Sequence, residues 1–312
     1  MDLRIFIEPQ QGTTYSEVAA LARRAEEHGF DGFFSSDHYL NMGDQSSGLP
    51  GPLDAWSTMA GLARDTERLR LGTLVSPITF HHPAQLAIRV AQIDEMSSGR
   101  IELGLGAGWF EQEHIAHGIE FPEVGERFDR LGEALEIISG LWKTAENDSF
   151  SFDGEHYQLV ESPALPKPWQ RPGPPIIVGG RGRRRTPAFA ATYASEFNVA
   201  FEEPTVWRAL VDSVTEACEA RERDPETLAW SVAQVVCIGE NEAEFARRSA
   251  AIGREPSELR ANGIAGLPDE AAEKLHEFAG VGCTRVYLQV LDLKDLEHVQ
   301  LISTALGSND GD

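Results

Sequence analysis

The chain has 312 residues, 41% of them apolar, a formal net charge of −23 at pH 7 and three cysteines, Cys218, Cys237 and Cys283. That length can bury a barrel-sized core. The acidity argues against nucleic acid or an anionic membrane as partner, and scattered cysteines supply neither a disulfide framework nor a metal site. No apolar run approaches the roughly 18 residues of a membrane span, and Met1-Asp2-Leu3-Arg4 leads into a strand pattern without a signal-peptide layout, so a cytoplasmic location is expected.

Short apolar runs alternate with amphipathic helical patterns from one end to the other. The pattern predicts a strand over Leu3–Glu8, a helix over Tyr15–His28 stopped by Gly29, a strand over Gly32–Asp37 and a helix over Leu53–Arg64. It continues with a strand over Leu69–Val75, a helix over Pro83–Ser97, a fourth strand over Ile101–Gly108 and a helix from about Arg127 to Lys143. Phe150–Tyr157 reads as a hairpin with an Asp-Gly turn, followed by a proline-rich surface excursion over Pro163–Pro175. The alternation resumes with strands over Ile176–Gly179, Phe197–Phe201, Ala229–Ile238 and Arg285–Val290. Their helices are expected over Thr186–Ala194, Pro204–Glu222, two patches before the last strand, and a final segment to Leu306. Eight strand–helix units without a linker predict one TIM (β/α)8 barrel over residues 1–312, with insertions near 40–52 and 145–175; a doubly wound open sheet is the alternative. In a barrel the chemistry sits at the C-terminal ends of the strands.

Strand two ends in Ser35-Ser36-Asp37-His38. Neighbours on a strand point to opposite faces, so these residues cannot form a hydrolase triad, and no G-x-S-x-G elbow occurs. A carboxylate and an imidazole at a barrel mouth are candidates for acid–base work or for contact with a cofactor. Strand three ends in the apolar tip Gly72-Thr73-Leu74-Val75, a floor for a flat ring. Strand four, Leu103-Gly104-Leu105-Gly106-Ala107-Gly108-Trp109, carries glycines on one face, which would let a ligand lie against the backbone. Trp109 stands where a dinucleotide fingerprint needs its third glycine, which weakens that reading. Beyond it, Glu111, Glu113, His114 and His117 lack the H-E-x-x-H order and a third ligand, so a solvated helix face outweighs zinc. Strand five, Ile176-Ile177-Val178-Gly179-Gly180, opens through Arg181-Gly182-Arg183-Arg184-Arg185 into a helix. Glycines, free N–H groups of a first helical turn and arginines make this a candidate phosphate site.

Taken together and in this order, Ser36-Asp37-His38, Gly72-Thr73-Leu74-Val75, Gly104 through His114 and Pro175 through Gly180 resemble the luciferase-like monooxygenase superfamily, and within it the actinobacterial oxidoreductases that use the deazaflavin coenzyme F420. The likeness runs from Leu3 to about Leu306. It implies a TIM-like barrel with a non-proline cis peptide between Leu74 and Val75, against which the deazaflavin ring lies. It implies that His38, with Asp37 beside it, contacts the coenzyme and handles the proton, and that Gly106, Ala107, Gly108, Val178, Gly179, Gly180 and Arg181 carry the coenzyme with Thr73. Sugar-phosphate dehydrogenases of the family have a glutamate where this chain has Trp109. Glu113 or Glu111 then becomes the candidate for the missing acid, and Trp109 a wall of the substrate pocket. The resemblance implies hydride transfer to or from an unidentified small organic molecule, and a homodimer. FMN with monooxygenase chemistry, a flavin- or deazaflavin-binding protein without turnover, and a zinc hydrolase around His114 and His117 are the alternatives.

Overall fold

The structure, a computed structural model, describes residues 1–43 and 48–307. The insertion expected at 40–52 therefore lies partly outside the described residues. Eight parallel strands form the centre: β1 (Asp2–Ile7), β2 (Gly32–Ser35), β3 (Arg70–Thr73), β4 (Ile101–Gly106), β5 (Ile176–Gly179), β6 (Glu196–Ala200), β7 (Ala229–Ile238) and β8 (Arg285–Gln289). Each pairs with the next, and β8 closes on β1 with Arg285 opposite Asp2 and Gln289 opposite Phe6. The fold is a closed TIM barrel.

Alternation along the strands builds two cores. Leu3, Ile5 and Ile7 of β1 pack outward into the large cluster shared with the helices, whereas Phe6 joins Phe34, Ile177, Ala233 and Tyr287 inside the barrel. The strand starts plug the bottom with charge. Arg4 Nη1 lies 2.6 Å from Glu102 Oε2 and Arg4 Nε lies 2.9 Å from Asp2 Oδ1. Arg70 Nε lies 2.7 Å from Glu102 Oε1, and Arg285 pairs with Asp2 and Glu196. Cations and carboxylates in such a layer compensate one another's desolvation, and the open end is left at the C-terminal tips.

The helices are α1 (Tyr15–Glu27), α2 (Ala55–Asp65), α3 (Pro83–Met96), α4 (Glu111–His117), α5 (Val124–Lys143), α6 (Arg185–Tyr193), α7 (Pro204–Glu219), α8 (Glu242–Ala251), α9 (Pro256–Asn262), α10 (Pro268–Gly280) and α11 (Leu296–Leu306). Thr14 and Glu17 start α1 with a reciprocal capping box, the N–H of Thr14 donating to Glu17 Oε2 at 2.9 Å.

Three expectations change. The third strand stops at Thr73, and after a bulge Ser76–Pro77 pairs with Leu105 and Gly106 of β4. The hairpin consists of Phe150–Asp153 and Gln158–Ser162, joined by a four-residue loop rather than a tight Asp-Gly turn. That loop is held open because the Glu133 carboxylate accepts from the N–H groups of Glu155, His156 and Tyr157. Between β7 and β8 there are three helices instead of two, with the short strand Ile264–Gly266 beside β7. Among the described residues no helix is long and apolar enough to cross a membrane.

Candidate active site

The peptide bond between Leu74 and Val75 is cis, as the family resemblance implies. It sits in the bulge between β3 and Ser76, and it explains the glycines of β4. A Cβ on Gly104 would lie 2.1 Å from the Thr73 carbonyl oxygen and 2.8 Å from Val75 Cγ1; one on Gly106 would lie 2.9 Å from Val75 Cγ2. The glycine face of β4 therefore receives the bulge, which corrects the expectation that a ligand lies directly against it. Gly108 differs: its φ of +81° is a conformation that glycine adopts without steric cost, and it turns the chain at the mouth beside Thr79.

His38 stands at this mouth, its side chain 13% exposed. Its Nδ1 is 2.8 Å from Oε1 of Glu113, a residue of α4 whose side chain is buried, and Oε2 of the same carboxylate accepts from the Tyr39 N–H at 3.1 Å. Both oxygens of Glu113 thus fix the loop that carries His38. The edge of the imidazole meets Trp109 and Phe110, ring centroids 5.9 and 6.2 Å away, and these two aromatics stack on each other. Glu113 enters the site because α4 places acids in its first turn, where the helix dipole favours them, and ends at Gly118 with φ +65°. Glu113 and His114 are buried, which corrects the expectation of a solvated helix face, and both histidines of α4 take protein partners. The rings of His114 and His117 are hydrogen-bonded through Nδ1 to the carbonyls of Phe110 and Glu113, and His114 Nε2 also meets Thr79 Oγ1.

Asp37 points the other way. Its side chain has no exposed surface; Ser76 Oγ donates to Oδ2 at 2.6 Å, and His81 Nε2 lies 2.8 Å from the same oxygen. Trp56 Nε1 donates to Ser76 Oγ at 3.0 Å, and Arg89 stands 3.4 Å from His81 Nδ1. Asp37 is therefore buried behind the mouth, with both of these partners on Oδ2 and with Oδ1 left without a hydrogen-bond partner among the described residues. The supporting group Ser76, Trp56 and His81 is not evident in the sequence, where His81 reads only as a helix-start residue. Thr73 and Val178 are likewise fully buried, Thr73 donating to the Gly104 carbonyl and Val178 packed among the helices, so the side chains of these two are not on the mouth. Ala107 is partly buried against the core.

At the end of β5, Gly179 and Gly180 lead into α6. A Cβ at Gly180 would have room, but its φ is +137°, and one at Gly182 would lie 2.6 Å from Thr186 Oγ1. These glycines bring the loop close over the first turn of α6, whose N–H groups lack helical partners. The arginines divide. Arg185 pairs with Asp129 of α5 and lies over Phe128 and Phe189, and Arg181 Nε is 2.7 Å from Glu202 Oε1. Arg183 and Arg184 are exposed and have no ion-pair partner among the described residues.

Beside His38 the mouth opens into a cleft of about 540 Å3 between Trp109, the tips of β1, β6, β7 and β8, and the α8–α10 region. Glu8, at the tip of β1, lines it, and burial pushes its carboxyl up from the ordinary value while the nearby His38 opposes that shift. Glu8 closes the first strand of the sequence pattern, but its place on the cleft wall is set by barrel closure.

The profile of the luciferase-like monooxygenase family matches residues 1–280, and the chain belongs to that family. It is 36% identical over 165 residues to the F420-dependent glucose-6-phosphate dehydrogenase of Amycolatopsis mediterranei, covering 53% of this chain and 47% of that protein. The chain thus spans about half to three fifths of the length of such curated relatives. Its fold superimposes with a TM-score of 0.84 on an F420-dependent secondary alcohol dehydrogenase in complex with an F420–acetone adduct, at 18% identity over 98% of both chains. With the oxygenating constituent of 3,6-diketocamphane monooxygenase of Pseudomonas putida, in complex with FMN, the TM-score is 0.73 at 17% identity over 99% of both chains. At these identities the two structures share the fold.

Proposed function

We propose that this protein is a coenzyme F420-dependent oxidoreductase that transfers a hydride between the deazaflavin and a small organic substrate, with His38 moving the accompanying proton. The observation that carries this is the His38–Glu113 pair at the mouth of the barrel. The F420-dependent relative supports the choice of coenzyme.

The residues present fit such a group. Leu74 and Val75, with Ala107 and Gly108 beside them, would hold a flat apolar ring. The first turn of α6, Gly179, Gly180 and the unpaired Arg183 and Arg184 would hold a phosphate tail. When bound, the coenzyme supplies or accepts the hydride. The chain's own residues do the rest. Glu113 accepts from Nδ1–H of His38, which leaves Nε2 as the nitrogen that takes or gives the proton. Glu113 positions that imidazole; Asp37, through Ser76 and His81, positions the β2 tip and the bulge. Trp109 and Phe110 shield the ring of His38 from water, which strengthens its pairing with Glu113.

Titration of the purified protein with F420 and with FMN tests the coenzyme, and F420 should bind more tightly. In His38→Ala the F420 dissociation constant should stay within a few-fold while turnover falls by roughly 10²–10⁴. Glu113→Gln should lower turnover less than His38→Ala. Tighter FMN binding would move the protein to flavin chemistry, and near-normal turnover in His38→Ala would remove His38 from the proton transfer.

A further inference from the structure

The walls of the cleft carry a charge pattern that restricts what can enter it. Glu8, Glu202, Glu203 and Glu258 line it, against two cations, Arg254 and Lys274. Neither cation is free. Arg254 holds Glu258 through Nη2 to Oε1 at 2.5 Å and Nε to Oε2 at 2.9 Å, and Lys274 Nζ lies 2.8 Å from Glu277 Oε2. At the rim Arg181 is similarly engaged by Glu202. Glu8 and Glu203 have no ion-pair partner among the described residues. The rest of the wall is mainly apolar and aromatic, with the amides of Gln234, Asn262 and Gln289 set into it: Trp109 and Phe201 are 65% and 46% exposed, and Val235, Leu259 and Phe278 also line it.

A phosphate dianion needs several free Arg or Lys donors to replace its hydration. Among the described residues that line the cleft it would find none without breaking an existing pair, and it would face the carboxylates of Glu8 and Glu203, which form no ion pair there. A flat or ring-sized apolar body, by contrast, can cover the exposed face of Trp109, and an indole face also attracts a cation. The unpaired Arg183 and Arg184 stand at the β5–α6 end and are not among the residues that line the cleft.

We propose that the substrate of this cleft is an organic molecule with an apolar, ring-sized body and a neutral or positively charged head, and that phosphorylated sugars are excluded. This rests on the reading of the cleft as the substrate side of an F420-dependent enzyme. It separates the chain from what the name of its glucose-6-phosphate dehydrogenase relative describes.

The test uses four probes on the protein saturated with F420: benzyltrimethylammonium, benzyl alcohol, benzoate and glucose 6-phosphate, with dissociation constants from calorimetry. The cation should bind about tenfold more tightly than benzoate, the order expected for one charge reversal at cleft distances in partly screened surroundings. Glucose 6-phosphate should bind at least as weakly as benzoate. Glu203→Lys should narrow the cation-to-benzoate ratio to about threefold or less, and raising the salt should narrow it in the wild type. Tighter binding of benzoate or glucose 6-phosphate than of the cation, equal binding of all four, binding of none, or a ratio unchanged in Glu203→Lys would overturn the proposal. Failure of the coenzyme reading shows separately, as absence of F420 saturation in the first step. The same ranking is then measured on the coenzyme-free protein and decides the proposal there.

Discussion

If the glycines of β4 receive the bulge, Gly106→Ala should be harmful because of Val75, and removing Val75's methyl groups should relieve it. The new Cβ would stand 2.9 Å from Val75 Cγ2, whereas carbon atoms in contact prefer about 3.5–4.0 Å. Val75 must therefore shift by roughly half an ångström or more. Overpacking of this kind costs about 1–3 kcal/mol. Val75→Ala alone leaves a partly exposed gap and should cost about 1 kcal/mol. Because the two residues touch, the double variant should be more stable than the sum predicts by about 1–2 kcal/mol. Gly104→Ala is the contrasting case, since its Cβ would meet the Thr73 carbonyl oxygen at 2.1 Å. That backbone atom remains when Val75 is shortened, so Val75→Ala should give much less rescue. Urea unfolding of the wild type and these five variants, with the slope checked for constancy, measures these terms. Coenzyme titration should show weaker binding in Gly106→Ala and partial recovery in the double variant. Strict additivity of Gly106→Ala and Val75→Ala would refute the reasoning and return the glycine face to the ligand.

The arginine loop should act on coenzyme affinity rather than turnover, since contacts to a tail bind ground and transition states alike. Arg183→Ala/Arg184→Ala should weaken F420 binding about tenfold at 50 mM salt and less at 300 mM. Arg181→Ala should do less, because Glu202 already occupies that guanidinium; a larger effect from Arg181 would reverse the assignment. Stability should fall in mild acid through His298, which accepts from the Ile238 N–H at 2.9 Å and whose burial lowers its pKa to about 3. Its folded value lies below the unfolded one, so its contribution is complete above about pH 6.5 and is lost as the pH falls toward 3. Between pH 7.5 and 5.0 the wild type should lose about 2 kcal/mol more than His298→Gln. Parallel pH dependences in urea unfolding would contradict this.

The sequence by itself determined the barrel and its eight strands, though not the residue at which each one stops. Periods of two and 3.6 residues are properties of neighbouring positions, so Leu3, Ile5 and Ile7 announce a strand and Tyr15 to Glu27 a helix without reference to the rest of the chain. It also marked His38, Glu113, Trp109 and the Gly179-Gly180 turn as candidates, because each lies at a strand end or just beyond one. The place of the cis bond came from family likeness, since Leu74-Val75 has no composition that distinguishes it. What only the tertiary structure decided is which candidates meet. His38 finds Glu113 across 75 positions and Asp37 finds His81 across 44, while Arg181 is drawn to Glu202 and leaves Arg183 and Arg184 free. Barrel closure sets these pairings through strand tilt and register, and no local periodicity encodes them. The same closure decides why Gly104 and Gly106 are glycines: the atoms that exclude a side chain there belong to Thr73 and Val75, on the neighbouring strand and its bulge.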